Sequence, residues 1–86
     1  MVFGDNVTNI ADGLFRACNQ MTTVTFGANL VSIGNYAFYA CASLTTINYN
    51  GTSLEWPGVI KGEHWNDSVP ATKVNCLKGN VKEVDL

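Results

Sequence analysis

Three cysteines, one histidine and two tryptophans are the residues of this chain with the widest chemical reach. Cys18, Cys41 and Cys76 are an odd number, so no complete disulfide framework forms from them. Cys18 and Cys41 define a spacing that recurs below. Equivalent positions of a repeat point the same way, whereas a disulfide needs Cβ atoms that face each other. Buried, reduced thiols acting as small apolar side chains are therefore expected. His64 lies in Glu63-His64-Trp65-Asn66-Asp67, which sets two carboxylates beside an imidazole. A metal site needs three or four ligands at defined spacing, and there is no second histidine. A loop histidine is the expected reading. Cys–His nucleophilic catalysis needs an exposed thiolate beside its base. Only Cys76 falls outside the repeated segment, and nothing pairs it with His64. Neither GxxxxGK[ST] nor GxGxxG occurs, so no phosphate-cradling loop is expected. The sequence predicts no catalytic, metal or cofactor site.

Trp56 and Trp65, close together in a turn-rich segment, allow two readings. Exposed, they would form a sugar-stacking platform. Buried, they would anchor the second half of the chain, which is favoured because large aromatics dominate burial. Tyr36 and Tyr39 flank Phe38 and are expected half exposed. Asn6-Val7-Thr8, Asn50-Gly51-Thr52 and Asn66-Asp67-Ser68 match glycosylation triplets, a pattern that chance produces readily among 10 Asn and 8 Thr.

The chain has 86 residues and 47% hydrophobic content but only 14% charged residues, against roughly 25% in ordinary globular domains. The length allows one domain. A net charge of −2 argues against nucleic acid, which calls for a basic excess. No apolar run approaches the ~20 residues of a membrane span, and no basic-then-apolar leader opens the sequence. The charge is uneven. Residues 1–54 carry only Asp5, Asp12 and Arg16, and the other 9 of the 12 charges follow.

The shift that carries Cys18 onto Cys41 superposes the first half on itself. Phe3 meets Phe26, Gly4 meets Gly27, Asn6 meets Asn29 and Ile10 meets Ile33. Phe15 meets Phe38, Ala17 meets Ala40, and Thr22-Thr23 meets Thr45-Thr46. Met21-x-x-Val24-x-Phe26 and Leu44-x-x-Ile47-x-Tyr49 end in strand-like alternation, with Thr46 and Asn48 on the face opposite Ile47 and Tyr49. Between strands, Ile33, Ala37, Phe38 and Cys41 have spacings that suit one or two turns of helix or a 3₁₀ stretch. Neither piece buries its apolar side alone. Stacking coil on coil aligns strand with strand, and Ile, Phe and Cys into rows. The low charge follows, because each coil turns about half its residues inward.

The second unit reads Ile33-Gly34-Asn35-Tyr36-Ala37-Phe38-Tyr39-Ala40-Cys41-Ala42-Ser43-Leu44-Thr45-Thr46-Ile47. This I-G-x-x-A-F-x-x-C-x-x-L-T-x-I pattern closely resembles the BspA-like leucine-rich repeats of bacterial surface proteins. Ile10 to Val24 is a looser copy. Tyr49-x-Gly51-Thr52-x-x-x-Trp56, Gly62-x-x-Trp65, Val69-Pro70-Ala71 and Val74-x-Cys76-x-x-Gly79 resemble that family's ending. Two departures are present. Pro57-Gly58 stands where the family continues a short helix, which predicts a shortened one. Lys78 precedes Gly79 where Asp is commoner, which predicts a different final turn. The resemblance implies an α/β solenoid: a short right-handed leucine-rich-repeat superhelix with parallel strands and a β-containing C-terminal cap. Residues 1–49 would be about two coils and 50–86 the cap of the same domain. Trp56 and Trp65 would be its structural anchors, with strands from Val74-Cys76 and Val81 about the Lys78-Gly79-Asn80 turn.

The resemblance implies a non-catalytic, extracellular or cell-surface role in adhesion or protein binding, with an unidentified host or extracellular protein as partner. The alternatives are a carbohydrate-binding accessory module using the tryptophans, and a structural cap without a ligand. Thr23, Thr25, Thr46, Asn48 and Asn50 would line the concave side, the usual binding surface of such repeats. The competing reading is that they are simply good exposed strand residues. Met1 aligns with Val24, so the chain opens inside a strand. That predicts the end of a longer array or a descendant of one, with self-association through the uncapped Met1/Phe3 edge.

Overall fold

The computed structural model describes residues 1–86. Its strands are short: β1 (Asn9–Ile10), β2 (Thr23–Phe26), β3 (Ser32–Ile33), β4 (Thr46–Tyr49), β5 (Ile60–Lys61), β6 (Lys73–Cys76) and β7 (Glu83–Asp85). They form two sheets, ordered β1-β3-β5 and β2-β4-β6-β7. All pairs are parallel except β6–β7. The repeat shift of the sequence is the register itself. Thr23 pairs with Thr46, Val24 with Ile47 and Asn9 with Ser32. Apolar side chains of β2 and β4 alternate inward, with Val24, Phe26, Ile47 and Tyr49 at 2% exposure or less.

The ladders do not stop at residue 50. Ser32 pairs with Ile60 and Ile47 with Val74, so residues 60–76 add a third coil with wider spacing. The extra residues are an insertion over Thr52–Gly58, which ends in a 3₁₀ turn at Trp56–Gly58. A reciprocal cap organises it. Glu55 Oε1 accepts from the Thr52 N–H at 3.1 Å, and Thr52 Oγ1 accepts from the Glu55 N–H at 3.3 Å. Pro57 presets the backbone at the start of this turn, which ends where Val59 turns extended at φ −71° and ψ 123°. Lys61 Nζ donates to the carbonyls of Trp56 at 3.0 Å and Val59 at 2.8 Å, and lies 4.5 Å from the Trp56 ring centre.

The helical segment expected between strands is absent. Residues 11–18, 34–41 and 62–69 run as successive turns. Gly13, Tyr36 and His64 occupy equivalent positions with φ of 63°, 58° and 56°, and Ala17, Ala40 and Ser68 have φ of 58°, 60° and 66°. A helix needs φ near −63° throughout, so a left-handed residue every fourth position excludes it. The hydrogen bonding explains what replaces it. Ala37, Tyr39 and Cys41 donate back three residues, to Gly34, Tyr36 and Phe38. The alternate N–H groups of Tyr36, Phe38 and Ala40 cross to the carbonyls of Glu63, Trp65 and Asp67 at 3.0, 2.8 and 2.8 Å. A helix would spend every donor internally. These turns leave half of them to join coil to coil.

Aromatic columns fill the interior. Phe3 stacks on Phe26 at 5.8 Å and Phe26 on Trp56 at 6.0 Å. Phe15 stacks on Phe38 at 5.4 Å, and Phe38 meets Trp65 edge-on at 6.3 Å. No polar or charged side chain is buried. The third coil ends at β7, which turns back antiparallel on β6. Val84 and Leu86 pack on the core there. The strand starts at Glu83, and Val81, expected within it, is 54% exposed in the connecting loop. Lys73 ties the hairpin to Asp85 at 2.9 Å. The Asp85 hydrogen bond and charge hold the Lys73 ammonium above its ordinary value.

Candidate functional site

The three thiols are free. Cys41 and Cys76 are buried, and Cys41 Sγ donates to the Phe15 carbonyl at 3.0 Å. Cys76 does not lie outside the repeat core as expected. It pairs with Tyr49 in the parallel ladder and fills the inward position that Phe26 and Tyr49 fill in earlier coils. Burial pushes both thiols up, so neither supplies a thiolate nucleophile at neutral pH. Burial also raises the Tyr49 phenol, with the charges of Glu55 and Cys76 adding to it.

These shifts carry a sign. Above the ordinary thiol value of 9.0 and the ordinary phenol value of 10.0, the unfolded chain releases protons that the folded chain keeps. Stability then falls as pH rises. Lys73, held up by Asp85, acts in the same sense, whereas Lys61, lowered by burial from 10.5, acts in the opposite one, one group against four. The thermal midpoint followed by circular dichroism is expected to drop between pH 8 and pH 10.5. The drop should shrink in a Cys41→Ala, Cys76→Ala double variant.

His64 is exposed, with Nδ1 2.6 Å from Asp67 Oδ2 and its ring stacked on Tyr36 at 5.2 Å. No three His, Cys, Asp or Glu side chains gather as metal ligands. The tryptophans do not form a platform. Trp56 and Trp65 are 2% and 7% exposed and meet each other at 6.4 Å. Neither ring offers a face to a sugar, which removes the observation on which the carbohydrate reading rested.

Thr23, Thr25, Thr46 and Asn48 share the outer face of the larger sheet, half-buried, and Asn50 follows just past the end of β4. The face is more ordered than a scatter of strand formers. Asn48 Nδ2 donates to Thr25 Oγ1 at 3.2 Å, and Asn75 Nδ2 donates to Asn48 Oδ1 at 3.0 Å. The row runs across three coils. Asn75 was not among the expected residues, because the insertion breaks the constant spacing that would have aligned it with Asn48. Lys73 continues the Thr23–Thr46 column and, with Glu83 and Asp85, brings charge only to the C-terminal edge.

A second ladder joins the turns. Asp12 Oδ1 accepts the Asn35 N–H and Asn35 Oδ1 accepts the Glu63 N–H, each at 2.8 Å. Beside it lies an exposed cluster in which the Arg16 guanidinium sits 5.4 Å from the Tyr36 ring centre and 5.1 Å from that of Tyr39. Two hollows exist elsewhere. One of about 490 Å³ opens at the N-terminal end between Met1, Phe15, Cys18 and Met21. The other, about 360 Å³, lies between Thr52–Leu54 and Gly79–Val81.

A family model described as BspA type leucine rich repeat region (6 copies) matches residues 1–57. The chain belongs to this family. No curated protein and no solved structure matches it. Leucine-rich-repeat families are generally not enzymatic, and BspA-like repeats are typically found at the cell surface. No helix of this BspA-type chain is long and apolar enough to cross a membrane. The chain exposes two repeat-built surfaces, a Thr/Asn sheet face and an aromatic turn face.

Proposed function

We propose that this BspA-type chain is a non-catalytic, protein-binding piece of a bacterial cell-surface repeat protein, serving adhesion or recognition outside the cell. Its architecture is a short right-handed solenoid whose β6–β7 hairpin acts as the C-terminal cap. The observation that carries the reading is the Thr25–Asn48–Asn75 row. It holds amide side chains in fixed positions on a face with little charge, and rigid polar groups bind with little loss of side-chain entropy. A panel of purified extracellular proteins on a sensor surface tests it. Saturable binding to at least one, lost in Asn48→Lys, is the expected result. Binding to none would leave the competing reading, a structural cap without a ligand.

The partner of a second contact is another copy of the chain. Support comes from the hollow between Met1, Phe15, Cys18 and Met21 and from Val2, which is 76% exposed on the outer edge of a bridge to Thr25. Five stacked segments, from Val2 through β2, β4 and β6 to β7, at about 4.8 Å spacing take up one of the short extents of the molecule. The end face is therefore bounded by the 32 Å and 21 Å extents and offers about 670 Å² per copy, below the ≈ 800 Å² of a standard interface. The association is therefore weak. Sedimentation of the 86-residue chain should show a dimer that grows with concentration and is lost in Met21→Glu. A well-folded monomer at millimolar concentration would end this reading.

A further inference from the structure

The turn face carries an arrangement that the fold does not need. Arg16, Tyr39 and Asp67 hold equivalent positions in coils one, two and three, as do Gly13, Tyr36 and His64. Coil one meets the left-handed geometry of the second column with glycine. Coils two and three place a tyrosine and a histidine there, side chains whose Cβ disfavours that geometry. The rings then assemble outward. Tyr36 and Tyr39 meet edge-on at 5.3 Å, and His64 stacks on Tyr36. Arg16 is the only cationic side chain in the first 54 residues. It is exposed and makes no ion pair. No side-chain hydrogen bond uses its guanidinium or either tyrosine hydroxyl. The one carboxylate in these two columns, Asp67, is already held by His64 at 2.6 Å.

We infer that Arg16, Tyr36 and Tyr39 form a docking site for an acidic side chain of a partner protein. The inference rests on the protein-binding reading and assigns it a second surface. A guanidinium fixed over two rings presents its planar fork with much of its rotamer freedom already lost, and that fork matches a carboxylate in bidentate fashion. The two phenol hydroxyls add donors beside it. Tyrosine and arginine are the residue types that dominate binding energy at protein interfaces. A sugar fits less well. Arg16 and His64 stand over Tyr36 from the coils on either side, so its ring is not open to a pyranose. Both hollows of the surface also lie elsewhere. With a net charge of −2, the whole chain does not draw anions unspecifically.

Nuclear magnetic resonance of the 15N-labelled chain tests this with hexaglutamate, polygalacturonate and sodium sulfate as probes. Hexaglutamate should shift the Arg16 Nε–H and the Tyr36 and Tyr39 signals in a saturable way. Arg16→Lys keeps the charge but loses the fork and the stacking, and should weaken binding about tenfold with amide dispersion intact. Tyr39→Phe keeps the ring and should weaken it less. No shift at Arg16 up to millimolar hexaglutamate overturns the proposal. So does an equal response from Arg16→Lys, which would be plain charge attraction, or tighter binding of polygalacturonate or sulfate. If a protein from the sensor panel binds Arg16→Lys as well as the parent, this site fails while the protein-binding reading stands.

Discussion

Phe38→Ala is expected to lower the unfolding free energy of the chain by about 3–5 kcal/mol at 25 °C. Phe38 is fully buried and touches both aromatic columns. It stacks on Phe15 at 5.4 Å, meets Phe26 edge-on at 5.7 Å and meets Trp65 at 6.3 Å. It therefore joins coil one, coil two and coil three. Truncating a buried phenylalanine costs about 3–5 kcal/mol, because the lost transfer energy is compounded by the cavity left behind. A chain of this length has roughly 4–13 kcal/mol of stability in all. With only three coils, neighbours on both sides lose a contact at once, so the cost falls at the upper end. Leu54 is the matching control. It is 90% exposed on the insertion, and Leu54→Ala should change stability by under about 0.5 kcal/mol. Urea titration of both variants, read by tryptophan fluorescence, checks the pair. Trp56 and Trp65 are buried beside the column, so the signal reports its loss directly. A Phe38→Ala midpoint within error of the parent would mean that the columns do not hold the coils together.

The same column shows how far the sequence could be read. Phe15 and Phe38 stand one period apart, and a constant shift brings them together, along with Val24 and Ile47 or Ile10 and Ile33. Each such pair is also a ladder or packing pair in the fold. The next member of the column is Trp65, which lies farther from Phe38 than one period. The Thr52–Gly58 insertion displaces it, and its ring reaches the column from the position equivalent to Ala37, one residue before that of Phe38. A fixed period is blind to both changes, so the third coil reads as something other than repeat. The turns were hidden for a different reason. Apolar spacings of three to five suit a helix as well as a chain of turns, and the deciding left-handed φ sits on Tyr36, Ala40, His64 and Ser68, residue types that do not advertise it. The surface row was half visible. Thr23, Thr25, Thr46 and Asn48 follow from alternation, whereas Asn75 needed the third coil first. Arg16 over the tyrosines was invisible, because it depends on turn positions that a helical reading places elsewhere.

Gly34→Ala should separate coil one from coil two without disturbing the rest. The smaller sheet ends at Ile33, and the chain enters its turns at Gly34, directly beside Asp12 of the coil before. A Cβ there would lie 2.5 Å from the Asp12 backbone nitrogen and 2.8 Å from the Ala11 carbonyl carbon. Those are backbone atoms on a segment pinned by the Gly34 N–H to the Ile10 carbonyl at 2.8 Å, and by Asp12 Oδ1 to the Asn35 N–H. They cannot swing aside as a side chain would. Gly62 repeats the arrangement one coil later, with the added Cβ 2.5 Å from the Asn35 nitrogen. The clash arises from coil spacing, not from a turn at one place. Overpacking of this kind costs about 1–3 kcal/mol when neighbours can shift, and here the neighbour to shift is a whole coil. Coil one has a partner on only one side, so it yields first. In Gly34→Ala, amide exchange should quicken at Gly13, Phe15 and Ala17, whose N–H groups bond across to coil two, and stay slow at Val74 and Cys76. In Gly62→Ala the quickening should move to Tyr36, Phe38 and Ala40. Gly58→Ala, with nothing within 4 Å of the new methyl, should leave both sets unchanged. If all three variants exchange alike, coil-to-coil contact at these glycines is not what limits the fold.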